Sequence, residues 1–509
     1  MPLDFYTDRY KTIGVNVRTR FDDNVERYVN LRSVQHPNLD FTKPVKRRGP
    51  FSLFNQNHQK IAGQLIQILM DASERDFVSL SAYIKDRVNP YLFLYALAIA
   101  VQHRRETQHI ALPSIVQQFP DQFVDSSVFP EAREEGTIVP SASRIPIQIE
   151  LNFTGSERDQ EQRLAYFRED IGVNMHHWHW HLIYPAEGPM NIVAKDRRGE
   201  LFYHMHNQLL ARYNTERSCN NLEHVKSLGN LRERVLEGYF SKIVRSLSNR
   251  AYPARPDGAI LKDINRDDQI VEIVQLEQLR DRIYQAIDQG YVIEYGTNRH
   301  IPLNDEKGID VLGNILESSA ISPNRQLYGS LHNSGHVVIA FVHDPENKHL
   351  EDYGVMGDVT TAMRDPVFYR WHAFINSMCI KLKNTLQPYF YNDLMYQDIH
   401  VISIGVQITT NVPNARPNVL LTYWQKSDVD LGAGLDFGPG NVYAQFTHLQ
   451  HAPFEYRINV INEAHTIKYG TCRIFLIPKF NERDQPLTYQ EQRLSAIEMD
   501  KFVVACMYK

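Results

Sequence analysis

The sequence predicts a multidomain α + β protein with a helical N-terminal domain, a four-helix bundle and a C-terminal antiparallel β-sandwich of Ig-like type. Three observations carry this. Apolar residues recur at helical spacing up to about Tyr391 and at strand spacing beyond it. Four histidines fall within six residues at His176-His177-Trp178-His179-Trp180-His181, and a looser pair follows at His332 and His336. At 509 residues the chain is too long for one ordinary domain. The expected domains are 1–148, 149–390 and 391–509.

Taken in order, residues 1–50 read as a polar arm ending in the basic run Lys46-Arg47-Arg48. Arg20-Phe21 is a candidate protease-accessible bond within it. Residues 51–118 have a helical pattern, and Pro90 suits the first turn of a helix whose run from Ala96 to Val101 is apolar nearly all round. Extended, proline-punctuated chain is expected up to 148. Ser156-x-x-Asp159 then reads as a capping box, and helical pattern runs through Leu164 and Phe167 into the histidine cluster until Pro185 stops it. A second helix carries Phe202, His206, Leu209, Leu210 and Tyr213 on one stripe. Residues 220–325 read as helices joined by long loops. A third helix spans 328–342, and Pro366 opens a fourth with Phe368, His372, Ile375 and Cys379 on one face. From there Ile402, Ile404, Val406 and Ile408 alternate with small or polar residues, and later segments read as further strands.

Composition excludes several classes. Hydrophobic content of 43% and charged content of 23% are those of a globular protein. A formal charge of −5 makes no case for nucleic acid or a membrane surface. The longest apolar run, 91–101, is too short to span a bilayer. The start, Met1-Pro2-Leu3-Asp4-Phe5, has no apolar stretch of a signal peptide. Cys219, Cys379, Cys472 and Cys506 are scattered and suggest neither a disulfide framework nor a thiolate metal site. The sequon at Asn152 reads as a chance match.

The histidine spacing points to metal. His-x-x-x-His on a helix places two imidazoles on one face, one turn apart, where both can bind one ion. His177 and His181 form one such pair, extended by His206; His332 and His336 form the other, extended by His372. Two three-imidazole half-sites facing one another fit a bundle core. His176, His179 and His204 then face elsewhere, and His103, His224, His300, His400, His448 and His451 read as ordinary structural histidines. Imidazole suits zinc, copper, iron and nickel. A hydrolytic zinc helix would add the glutamate of His-Glu-x-x-His, and non-haem iron a carboxylate. Neither pair has one, which leaves paired copper as the best fit.

Five stretches carry a family resemblance: YFREDIGVNMHHWHWHLIYP (166–185), DRRGELFYHMH (196–206), YGSLHNSGHVVIAFVHDP (328–345), YGVMGDVTTAMRDPVFYRWH (353–372) and SDVDLGAGLDF (427–437). Through them nearly the whole chain resembles the arthropod prophenoloxidases of the haemocyanin superfamily. The resemblance implies a type 3 dicopper site binding dioxygen side-on, with ligands at His177, His181 and His206 and at His332, His336 and His372. It implies an oxidoreductase that hydroxylates monophenols and oxidises catechols to o-quinones, using phenols such as tyrosine, dopa and dopamine, in melanin formation and innate immunity. It implies a zymogen in the haemolymph, homo- or heterodimeric, without a classical signal peptide and cleaved by a serine protease at Arg20-Phe21. Glu317 matches a family glutamate beside the copper pocket and is the candidate base, and Asn333 is the candidate for holding a water there. In the segment Pro50-Phe51-Ser52-Leu53-Phe54, Phe54 aligns with an aromatic plug over the metals, with Phe51 as the near alternative. The family's C-terminal domain continues past Lys509, so an incomplete sandwich with an open edge is expected. The alternatives are a haemocyanin-like oxygen carrier and an inactive regulatory or storage relative.

Overall fold

The computed structural model describes residues 31–150, 159–266, 269–410, 412–413, 415–435, 437 and 440–508. The Arg20-Phe21 bond, the sequon at Asn152 and the expected cap Ser156 lie outside them. The chain divides into two compact units. One holds the described residues up to His206 together with Val225–Thr385 and Asp428–Ala444; the other holds Asn207–His224, Leu386–Ser427 and the described residues from Gln445.

The first unit is helical. Its N-terminal part contains α1 (Gln56–Asp71), α2 (Glu74–Lys85) and α3 (Pro90–His103). Each begins on a side-chain cap. The Asn55 carboxamide oxygen accepts from the Asn57 and His58 amides, Ser73 Oγ from Asp76, and the Asn89 oxygen from Tyr91 and Leu92. Pro90 sits in the first turn, as its fixed φ allows, and Leu92, Ala96, Ile99 and Ala100 behind it are fully enclosed. The segment expected to be extended instead contains a helix, α4 (Val128–Ile138). Its Glu131, Glu134 and Glu135 hid the period, and only Val128, Phe129, Ala132 and Gly136 turn inward.

Six longer helices follow, α5 (Ile171–Ile183), α6 (Arg198–Cys219), α7 (Ile273–Gln289), α8 (Gly308–Glu317), α9 (Leu331–Ala340) and α10 (Pro366–Thr385), of which α5, α6, α9 and α10 carry the candidate ligands. Asp170 caps α5 by accepting from Val173 N at 2.8 Å, and Asp365 accepts from Val367 N at 2.9 Å at the start of α10. Among the described residues between α6 and α7 the expected helices are absent. Paired strands of two or three residues lie there instead, such as Arg234–Val235 with Ala259–Ile260 and Ile264–Arg266 with Gln269–Val271. Strands so short leave no period to read.

The second unit is built on β-strands: β1 (Ile399–Ile408), β2 (Thr422–Asp430), β3 (Tyr443–His451), β4 (Phe454–Asn462), β5 (Lys468–Leu476) and β6 (Ile497–Cys506), where β2 and β3 reach past the unit's limits. β1 pairs antiparallel with β4, and β5 with β6, each with one register shift. The alternation in β1 does not mark a buried face. Ile402 and Ile404 are each 58% exposed, and of the four alternating residues only Ile408 is buried. Tyr423, Trp424, Tyr469 and Val503 are also exposed. Such an apolar, open-edged surface favours self-association. The chain is therefore expected to aggregate at high concentration, as read by light scattering. Ile404→Lys should raise the monodisperse fraction while changing stability by only about 0.5 kcal/mol, because the position is not core. Among the described residues no helix is long and apolar enough to cross a membrane.

Candidate metal centre

Six buried imidazoles converge where α5, α6, α9 and α10 meet. His177 and His181 lie one turn apart on α5 with Nε2 atoms 3.2 Å from each other. His336 and His372 approach equally closely through their Nε2 atoms, and the rings of His206 and His372 stack at 4.2 Å. The ligand atoms of His177, His181 and His206 lie within 4.8 Å of one another, and so do those of His206, His332 and His372. His206 thus belongs to both trios, and His336 joins through His372. His176 and His179 are exposed, as the helical period requires. His300 and His400 are exposed as well, rather than core.

The surroundings set each ring. Nδ1 of His177 is 2.8 Å from the Val359 carbonyl, that of His206 is 2.9 Å from Phe202 O, and that of His336 is 2.9 Å from Met356 O. Nδ1 of His332 faces the Asn333 carboxamide oxygen at 2.9 Å. A carbonyl takes only a donated proton, so these contacts hold Nδ1 protonated and leave Nε2 with its lone pair facing the cluster. Nε2 of His206 and of His332 is buried with no protein partner. Burial, reinforced by neighbouring imidazoles, pushes His177, His206 and His336 down to about 3 and lowers His181, His332 and His372 well below the ordinary histidine range. All six are neutral at physiological pH. A set of neutral, inward-facing imidazoles with orphaned nitrogens is what copper accepts.

Close helix approach makes the cluster possible. Gly335 lies between His332 and His336, and a Cβ there would sit 1.9 Å from the Trp371 ring. Trp371 is fully buried, precedes His372, and donates Nε1–H to His332 O at 3.2 Å. Gly335→Ala is expected to cost about 1–3 kcal/mol or more by overpacking. It should also lower the metal content of the chain, which thermal melting and metal analysis would read together.

Around the imidazoles stand the other expected residues. Phe54 is buried, its ring 3.8 Å from and nearly parallel to His336 and 6.0 Å from His332. Phe51 lies against His58 and Tyr95 instead. The segment is pinned at both sides. Phe54 N donates to Ser52 Oγ at 3.1 Å, Ser52 N to His58 Nδ1 at 3.1 Å, and Tyr353 O–H to Phe51 O at 2.7 Å. A cavity of about 10 Å³ beside the imidazoles is lined by Phe54, Tyr95, His181, Glu317 and Asn333 among others. It admits about one water and no phenol ring.

Glu317 ends α8 and is paired with Arg198, which also donates to the Tyr184 and Pro185 carbonyls at 2.8 Å. Both side chains are buried. Arg198 has no role assigned from the sequence; the only signal is an arginine leading directly into a helix that carries a ligand. Asn333 lines the same cavity and also makes two contacts to protein. Oδ1 meets His332, and Nδ2 donates to Glu317 O at 3.2 Å.

A paired, histidine-only centre in a helical bundle, followed by an Ig-like β-region, defines a type 3 copper protein. Comparison with known families specifies which. Residues 1–109 match the haemocyanin all-alpha domain, 114–379 the haemocyanin copper-containing domain and 388–507 the haemocyanin Ig-like domain. The chain belongs to the haemocyanin family. It is similar to Phenoloxidase 2 of Drosophila melanogaster, 51% identical over 99% of this chain and 74% of that one. It is also similar to the crystal structure of a crustacean haemolymph-type prophenoloxidase, with TM-score 0.86 and 31% identity over 94% of this chain and 75% of that one. A scorpion haemocyanin structure aligns with TM-score 0.84 and 38% identity, over 92% and 74%. The cofactor is a type 3 pair of copper ions.

Proposed function

We propose that this chain is a latent phenoloxidase, a copper-dependent monophenol monooxygenase and catechol oxidase, whose latency is the occupation of the phenol seat by Phe54. The observation that carries this is a complete set of six neutral imidazoles with an aromatic ring stacked on one of them. His177, His181 and His206 would hold one copper and His332, His336 and His372 the other. The copper pair supplies dioxygen binding and the electron transfer by which each catechol loses two electrons and two protons while dioxygen is reduced to water.

The protein's own part is to admit, orient and deprotonate the phenol. With Phe54 displaced, a substrate ring takes its place against His336. Glu317, which lines the same cavity as His181, accepts the phenolic proton of a monophenol. Arg198 positions that carboxylate, and Asn333 orients His332 while tethering the end of α8. We further propose that cleavage after Arg20 by a serine protease loosens the segment bearing Phe54, and that the protein acts in the haemolymph as a homo- or heterodimer in melanin formation. Working domains of 1–148, 149–390 and 391–509 fit this division of labour.

The closed seat equally suits an oxygen carrier, and the likeness to a haemocyanin favours weighing that reading. Copper-loaded protein, before and after cleavage, should be assayed for oxygen consumption with dopamine and tyrosine. Oxidation that increases on cleavage supports the enzyme; reversible oxygen binding with no oxidation in either form supports the carrier. Glu317→Gln, which keeps a hydrogen-bonding partner for Arg198, should slow monophenol hydroxylation about 10²-fold or more and catechol oxidation much less.

A further inference from the structure

We infer that a cleft sharing only Phe54 with the metal-side cavity receives the carboxylate-bearing tail of the phenolic substrate, so that this enzyme favours phenols with an anionic tail; the inference rests on the phenoloxidase reading above. The cleft encloses about 500 Å³, a volume suited to a small molecule. Its walls are amides such as Asn55, Gln56 and Gln278 with apolar side chains such as Leu276 and Val337. Among the described residues Arg282 is the one charged residue in the lining, and none of those residues is a carboxylate. The acids beside it on α7 are engaged elsewhere, Glu277 with Arg232 at 2.7 Å and Asp281 with Arg280 at 2.8 Å. Arg282 itself donates to Leu327 O at 3.0 Å and has no carboxylate partner among the described residues.

The start of α9 opens on the same cleft. Ser330 precedes the helix, lines the cleft and makes no side-chain cap. Its hydroxyl is buried and has no hydrogen-bond partner. The first-turn amides of this helix thus have no side-chain acceptor from the cap position, a setting that favours an anion. Gly329 makes the approach possible. It has φ +63°, and a Cβ there would meet Leu279 at 2.7 Å. His332 and His336 lie on that same helix. Ser330 and His336 are roughly 9 Å apart along its axis at the usual rise per residue. A phenol ring on a short tail spans that distance, with its ring in the seat of Phe54 and its carboxylate between Ser330 and Arg282.

The test uses copper-loaded full chain carrying Phe54→Ala and two inert ligands, 3-phenylpropionate and 2-phenylethylamine, which lack the hydroxyl that is oxidised. Calorimetry should show the carboxylate binding at least tenfold more tightly. Arg282→Gln should weaken 3-phenylpropionate about tenfold and leave the amine unchanged, and Ser330→Ala should weaken it less. Equal affinities, or indifference to Arg282→Gln, would overturn the inference. If Phe54→Ala does not fold, propionate is titrated into the unaltered protein with and without Arg282→Gln; there, binding must be weakened by the substitution for the inference to stand. Discrimination without any catechol oxidation would sink the enzyme reading and keep the cleft. Oxidation without discrimination would do the reverse.

Discussion

Phe54→Ala should raise catechol oxidation by the uncleaved protein on the order of 10²-fold, with copper content unchanged. Apparent activity scales with the fraction of molecules whose seat is open, and a closed state favoured by about 3 kcal/mol leaves about 1% open. Removing a buried phenylalanine also costs about 3–5 kcal/mol of stability, so a lower melting temperature is expected in parallel. Phe51→Ala separates the two effects. Phe51 is equally enclosed but packs on His58 and Tyr95 rather than on a metal-site imidazole. It should lower stability similarly without raising activity. If both variants melt early and oxidation still requires cleavage, Phe54 is a core anchor and the plug lies elsewhere.

His181→Ala is expected to reduce copper from two ions to one per chain and to remove oxygen-dependent oxidation altogether. His181 is buried, within 3.2 Å of His177 through Nε2, and lines the small cavity with Glu317. No other imidazole stands ready to replace it, because His176 and His179 on the same helix are exposed. The loss should exceed the roughly 10- to 100-fold expected for Asn333→Ala, which only orients a ligand. Undiminished oxygen binding by His181→Ala would refute the ligand set.

Much of this centre was legible before any coordinates. A His-x-x-x-His pair declares its geometry wherever the flanking residues enforce a helix, and Trp178, Trp180, Val337 and Val338 do so here. What could not be read are partners brought from a distance. Arg198 meets Glu317 across 119 positions, and Val359 supplies its carbonyl to His177 across 182. Neither has a local signature. The strands failed in the opposite sense: β1 alternates as a half-buried strand should, yet Ile402 and Ile404 face outward. Alternation reports which residues share a face and is silent on whether anything covers it. Helix α4 was missed because three glutamates interrupt the few small and apolar residues that anchor it.

Metal content and oxygen-dependent absorption of the purified chain, measured together, test the central claim most directly. Two coppers per chain, with a near-ultraviolet band that appears in air and vanishes on deoxygenation, are predicted. Protein from its native source that carries stoichiometric zinc, or a single copper with no oxygen-sensitive band, would contradict the account.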